Sequence, residues 1–130
     1  MEVFSPNYPN MYGPNMNCTW YFVSEEEDRK IQLTFDDFSV GIGKQGSCVG
    51  DFLQVIDTDG ASENYCEYSA VHGIPIRSTG NNLTIKFHSD EINEDKGFKL
   101  FYKTIGNNIY IQIGISFAAT KIDSDQMIKL

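Results

Sequence analysis

Leu83-Thr84-Ile85-Lys86-Phe87-His88-Ser89-Asp90 decides the fold class of this chain. Leu83, Ile85 and Phe87 take every second position, with Thr84, Lys86 and His88 between them. A period of two places the apolar side chains on one face of a strand and the polar ones on the other. The pattern recurs in both directions along the chain. Ile31, Leu33 and Phe35 share a face within 30–40, and Phe98, Leu100 and Tyr102 within 97–103. Residues 18–23 and 52–57 are further predicted strands, rich in aromatic and β-branched side chains. Turn-forming residues separate these runs at 24–28, 41–46, 57–60, 80–82 and 93–97. No apolar stripe of helical period extends beyond two turns. One buried and one solvated face per strand implies antiparallel sheets, and many short strands at this spacing suggest a sandwich or barrel.

The chain has 130 residues, enough for one domain with a real apolar core. Lys and Arg number 10 against 18 Asp and Glu, a formal net charge of −8. Such a chain repels phosphate backbones, which disfavours nucleic acid and anionic membranes as partners. No apolar run approaches the roughly 18–20 residues that span a bilayer, so membrane insertion is not expected. The Met1 segment has neither the basic start nor the apolar run of a secretory leader. The start therefore reads as a mature terminus, a boundary within a longer chain or a fragment. The stretch Ser5-Pro6-Asn7-Tyr8-Pro9-Asn10-Met11-Tyr12-Gly13-Pro14-Asn15 is excluded from helix by its three prolines. It suits an ordered loop lying across a sheet edge.

Several motifs, in order, resemble the CUB domain family. Ser5-Pro6-Asn7-Tyr8-Pro9, then Tyr12, Asn15 and Cys18-Thr19-Trp20, are similar to the leading segment of that family. Leu33-Thr34-Phe35-Asp36-Asp37-Phe38 resembles its central strand. Cys48-Val49-Gly50-Asp51-Phe52-Leu53-Gln54-Val55 and Tyr65-Cys66 follow, then Phe87-His88-Ser89-Asp90 with Gly97-Phe98 and Tyr102. The resemblance spans about 3–104. It implies an all-β, jelly-roll-like sandwich of two antiparallel sheets, found in secreted or cell-surface proteins. It also implies a binding module beside other extracellular domains, some of them proteases or receptors. Residues 1–104 are accordingly expected to form a CUB-like domain without its first strand and first cysteine.

Three cysteines are present. Cys48 and Cys66 enclose a short loop, and closing it is worth about 3 kcal/mol in the chain-entropy model. The resemblance selects the same pair. It pairs the cysteine at the place of Cys18 with one lying before Ser5, which this chain lacks. Cys18 is thus a thiol, a link between chains or an orphan of truncation. An oxidising compartment suits both the bond and two glycosylation sequons, Asn17-Cys18-Thr19 and Asn82-Leu83-Thr84. Asn82, at a turn before a strand, is the better placed of the two. Asn17 adjoins a cysteine whose early oxidation would compete.

The resemblance also raises calcium. Calcium-binding CUB domains use a Glu shortly after the Phe-x-Asp-Phe strand, the Asp of Cys-x-x-Asp and the Asp after Phe-x-Ser. Asp51 and Asp90 match the last two, and Tyr8 or Tyr12 supplies the supporting phenol. Gly41 stands where the Glu is expected and carries no carboxylate. Calcium takes six to eight oxygens and its affinity follows ligand charge, so the expectation is no cofactor or weakly bound Ca²⁺. Glu91 or Asn93 supplies compensating oxygens in the second case. Calcium-dependent members present such a cluster to a lysine of the partner. Without the third acid, a surface using Tyr8, Tyr12 and Tyr68 is the alternative.

Catalysis has no support. His72 and His88 are the only histidines, and no nucleophile elbow, zinc-binding His-Glu-x-x-His, Cys-x-x-Cys or phosphate loop occurs. The run Glu25-Glu26-Glu27-Asp28-Arg29-Lys30 reads as a solvated hairpin tip. Beyond the resemblance, residues 105–130 form an extension. Ile109, Ile111, Ile113, Ile115 and Phe117 alternate as a strand. It pairs within the domain, opens a following domain or mediates self-association, because an unpaired apolar edge aggregates. The residues after 120 read as a short helix or a flexible end. The sequence thus points to a non-catalytic, extracellular protein-recognition module. The rival is a carbohydrate-binding sandwich like the seminal-fluid relatives of CUB domains.

Overall fold

Thirteen strands are described in this computed structural model: β1 (Glu2–Phe4), β2 (Asn17–Val23), β3 (Arg29–Val40), β4 (Gly43–Lys44), β5 (Ser47–Cys48), β6 (Phe52–Asp57), β7 (Ser62–Tyr65), β8 (Glu67–Tyr68), β9 (Ile76–Arg77), β10 (Asn82–His88), β11 (Gly97–Gly106), β12 (Ala118–Ile122) and β13 (Asp125–Lys129). The structure describes all residues except 42, 45–46, 69–72, 93–94, 107–117 and 123–124. For 43–44, 47, 68, 118–122 and 125–127 it describes the backbone. Every described element is a strand or turn, as the period of two requires.

Two sheets form the sandwich. One runs β12-β13-β2-β10-β6-β7; the other runs β1-β11-β3-β8, with β9 also on β3. β10 sits centrally in the first sheet, antiparallel to both β2 and β6. Leu83, Ile85 and Phe87 point inward and are buried, while Lys86 is exposed. β3 keeps the pattern only by breaking it once. Phe35 and Phe38 are both buried although three residues apart. The register with β11 shifts between Lys99 and Leu100, so Asp36 and Asp37 both face outward. A bulge of this kind resets the phase of a strand.

The core is aromatic. Phe98 of β11 is fully buried and meets Trp20, Phe35 and Phe87 edge-to-face at centroid distances of 5.7, 6.0 and 5.7 Å. Trp20 and Phe87 belong to one sheet, Phe35 and Phe98 to the other, so this cluster joins the layers. The leading segment closes on the same point. Ser5 donates its N–H to the Phe98 carbonyl and accepts the Phe98 N–H on its hydroxyl, each at 2.9 Å. Gly97 makes that approach possible. Its φ is +91°, and a Cβ there would lie 1.9 Å from the Ser5 hydroxyl oxygen.

Tyr8 pins the segment further along. Its phenol donates to Asp37 Oδ2 at 2.7 Å, and Lys96 pairs with the same oxygen at 2.5 Å. Lys96 first, and Tyr8 second, hold the Asp37 carboxyl below the ordinary Asp range. The hydrogen bond to Asp37 in turn raises the Tyr8 phenol.

The chain end departs from the expected helix or flexible tail. β13 lies parallel to β2, from Asp125 beside Thr19 to Lys129 beside Val23. Ile128 and Leu130 are buried in the core. Leu130 N–H donates to Val23 and its carbonyl accepts from Glu25. The physical reason is the second edge of β2: its backbone groups need partners, and Ile128 and Leu130, two apart, supply the inward face. The alternating strand read at 109–117 lies outside the described residues. The acidic hairpin tip also differs from a purely solvated one, since Arg29 is buried and paired with Glu26.

Two outcomes follow for stability. Phe98→Ala, which opens a cavity between the sheets, should cost about 3–5 kcal/mol in urea denaturation. Asp37→Asn should lower stability at neutral pH by at most about 1 kcal/mol, because the pair is open to solvent on the Lys96 side. The folded carboxyl lies below its unfolded value, so its contribution is present above the unfolded pKa of about 3.9 and lost as pH falls through the folded one. Denaturation at stepped pH should therefore show the gap between wild type and variant closing under acid.

Candidate functional site

β10 ends and β6 begins at the same end of the sandwich, with His88 beside Phe52 in the register. The loops attached there gather around one side chain. Asp51, just before β6, is 0% exposed. Its Oδ2 accepts the Tyr12 hydroxyl at 2.6 Å, and its Oδ1 accepts the Asp90 backbone N–H at 2.7 Å. Backbone bonds extend the cluster. Tyr12 N–H donates to the Asp95 carbonyl at 3.0 Å, and Asn15 N–H to the Asp90 carbonyl at 2.9 Å. Ser89, also buried, donates to the Gly13 carbonyl and accepts the Met16 N–H. Asp90 Oδ1 accepts the Ile92 N–H at 3.0 Å and so turns the loop that follows.

Tyr12 is fully buried and packs edge-on against Phe87 at 4.8 Å. Burial first, and the bond to Asp51 second, push its phenol far above the ordinary value, so it stays a donor. Gly41 has φ +62°, and a Cβ on it would lie 2.7 Å from the Asp51 Cβ. A side chain at 41 is therefore strained both by its closeness to Asp51 and by the backbone conformation.

Asp51, Asp90, Tyr12 and Gly41 lie together in the fold, and as a calcium site the group is one carboxylate short at Gly41. Both Asp51 oxygens already accept internal donors, and Gly41 brings no oxygen-bearing side chain. Among the described residues, no three His, Cys, Asp or Glu side chains form a group able to hold a metal ion. Glu91 is exposed, and Asn93 lies outside the described residues.

Tyr8 is not part of this cluster; it is bound to Asp37. Tyr68 lies in β8 opposite Ser39, its side chain beyond what is described. Cys48 and Cys66 form a disulfide, and Cys18 is a buried residue of β2. Of the two sequons, Asn17 is the exposed one, with Oδ1 2.9 Å from His88 Nδ1. Asn82 is half-buried and donates to Asn81 Oδ1. His72 lies outside the described residues.

Sequence reasoning missed the apolar side chains on this rim. Met11 is 55% exposed, Val49 58% and Ile92 85%. Each stands within two residues of Tyr12, Asp51 or Asp90, on a different loop of the cluster. No periodicity marks them, because loops have none. Their only signal is position beside the motif residues.

Comparison with known proteins agrees with this architecture. The CUB domain family matches residues 1–102. Rat cubilin (Rattus norvegicus) is 31% identical over 121 residues, which cover 87% of this chain and 3% of cubilin. Human neuropilin and tolloid-like protein 2 (Homo sapiens) is 38% identical over 112 residues, 85% of this chain and 21% of that protein. The chain therefore spans a small part of the curated relatives it matches. Among solved structures, the full extracellular region of zebrafish Gpr126/Adgrg6 superposes with a TM-score of 0.74 at 31% identity, over 82% of this chain and 14% of that one. The MASP-1 CUB2 domain bound to Ca²⁺ gives 0.69 at 25% identity, over 78% and 89%. Motif order, sandwich topology and the matched residues agree, and the chain belongs to the CUB domain family.

Proposed function

We propose that this chain is an extracellular, non-catalytic protein-interaction module, as CUB domains typically are, and that it recognises a protein partner through the rim around Asp51. The observation that carries the reading is the exposure of Met11, Val49 and Ile92 on three loops that buried hydrogen bonds tie together. Exposed apolar side chains on neighbouring loops suit a contact surface, and a setting held by hydrogen bonds spares the entropy of ordering them on binding. Asp90 and Glu91 precede Ile92, in a chain of net charge −8. The complementary partner surface is therefore apolar at its centre and basic around it. The Cys48–Cys66 bond supports an oxidising, extracellular setting.

The test is a comparison of two immobilised proteins in extracellular extract, wild type and the triple variant Met11→Ser, Val49→Ser, Ile92→Ser. All three side chains are exposed, so the variant should keep its fold, checked by its melting curve. The proposal expects a protein captured by wild type and lost with the variant. Equal capture by both would place the contact elsewhere. Binding to a glycan array without any protein partner would favour a carbohydrate-binding sandwich instead.

A further inference from the structure

We propose that the loops of this rim are held by a metal-independent bracket, in which Asp51 is a structural acceptor and Gly41 is part of the same device. Three observations converge. The Asp51 carboxylate is sealed from solvent and receives one donor on each oxygen, from the Tyr12 phenol and the Asp90 backbone. A buried carboxylate needs such donors, and here the Tyr12 phenol and the Asp90 amide supply them. Gly41 leaves room for Asp51 to press against its backbone, in a place where a Cβ would sit 2.7 Å from the Asp51 Cβ. The residue that would bring a further acid is thus replaced by one whose missing side chain closes the cluster. Finally, the contacts of Asp51 join four segments: Tyr12 carries the leading segment, Asp51 the turn before β6, Asp90 the turn after β10, and Gly41 the exit of β3.

The consequence is a recognition surface already assembled at any calcium level. That consequence rests on the rim reading above, whereas the bracket itself does not. Binding through this rim should survive chelation, and the domain should keep its function where extracellular calcium is low.

The test is thermal unfolding of the intact chain in millimolar CaCl₂ and in EDTA, for wild type, Tyr12→Phe and Gly41→Ala. The expected result is one melting temperature for wild type in both buffers. Tyr12→Phe keeps the ring and removes one donor, so it should melt several degrees lower, by the same shift in both buffers. Gly41→Ala should also melt lower in both, since it meets Asp51 and a positive φ. A saturable rise of wild type in CaCl₂, absent in Asp51→Asn, would overturn the proposal by making Asp51 a ligand. Tyr12→Phe melting like wild type in EDTA would overturn it by removing the bracket. Partner capture that fails in EDTA while the melting temperatures hold would refute only the rim consequence.

Discussion

A carboxylate that water cannot reach must find its donors inside the protein, and at Asp51 that requirement fixes where three loops go. The donors come from Tyr12, thirty-nine residues upstream, and from Asp90, thirty-nine downstream. Asp90 is brought close by the pairing of β10 with β6, whereas Tyr12 lies on the leading segment, outside the strands. Leaving one of the two oxygens without its donor would cost about 1–3 kcal/mol, a large share of a small domain's stability. The leading segment, which has no helix and little strand, is therefore as well determined as the sheets. Its other fixed points follow the same logic: Ser5 on Phe98, Tyr8 on Asp37, and Ser89 on Gly13 and Met16.

The sheets themselves rest on a different constraint, the burial of one face of every long strand. That constraint is legible in sequence because its period is fixed by backbone geometry. Residues 52–57 are read without error, and Leu83, Ile85 and Phe87 take the inward face that their spacing demands. The short strands β7, β8 and β9 escape such a reading, since two to four residues carry no countable period. The chain end escapes for another reason. Ile128 and Leu130 make a strand only because β2 offers them a free edge, and that edge is a property of the assembled sheet.

The site divides in the same way. Motif order in the sequence places Asp51, Asp90 and a tyrosine together, yet leaves Tyr8 and Tyr12 interchangeable. Three-dimensional packing separates them: Tyr12 lies under Phe87 with its phenol aimed at Asp51, while Tyr8 lies over the outer face of β3. Gly41 reads in sequence as a missing ligand. In the fold it is a contact, and that changes what Asp51 does. The exposed Met11, Val49 and Ile92 stand beside Tyr12, Asp51 and Asp90, on the loops that these bonds hold together.

The most direct measurement of this account is hydrogen exchange at the Asp90 amide, whose proton points at Asp51 Oδ1 over 2.7 Å. The account predicts that this amide is protected in the presence of chelator, and that Asp51→Ala abolishes the protection while the amides of β10 remain slow. Exchange of Asp90 at the rate of an unstructured loop in wild-type protein would contradict it.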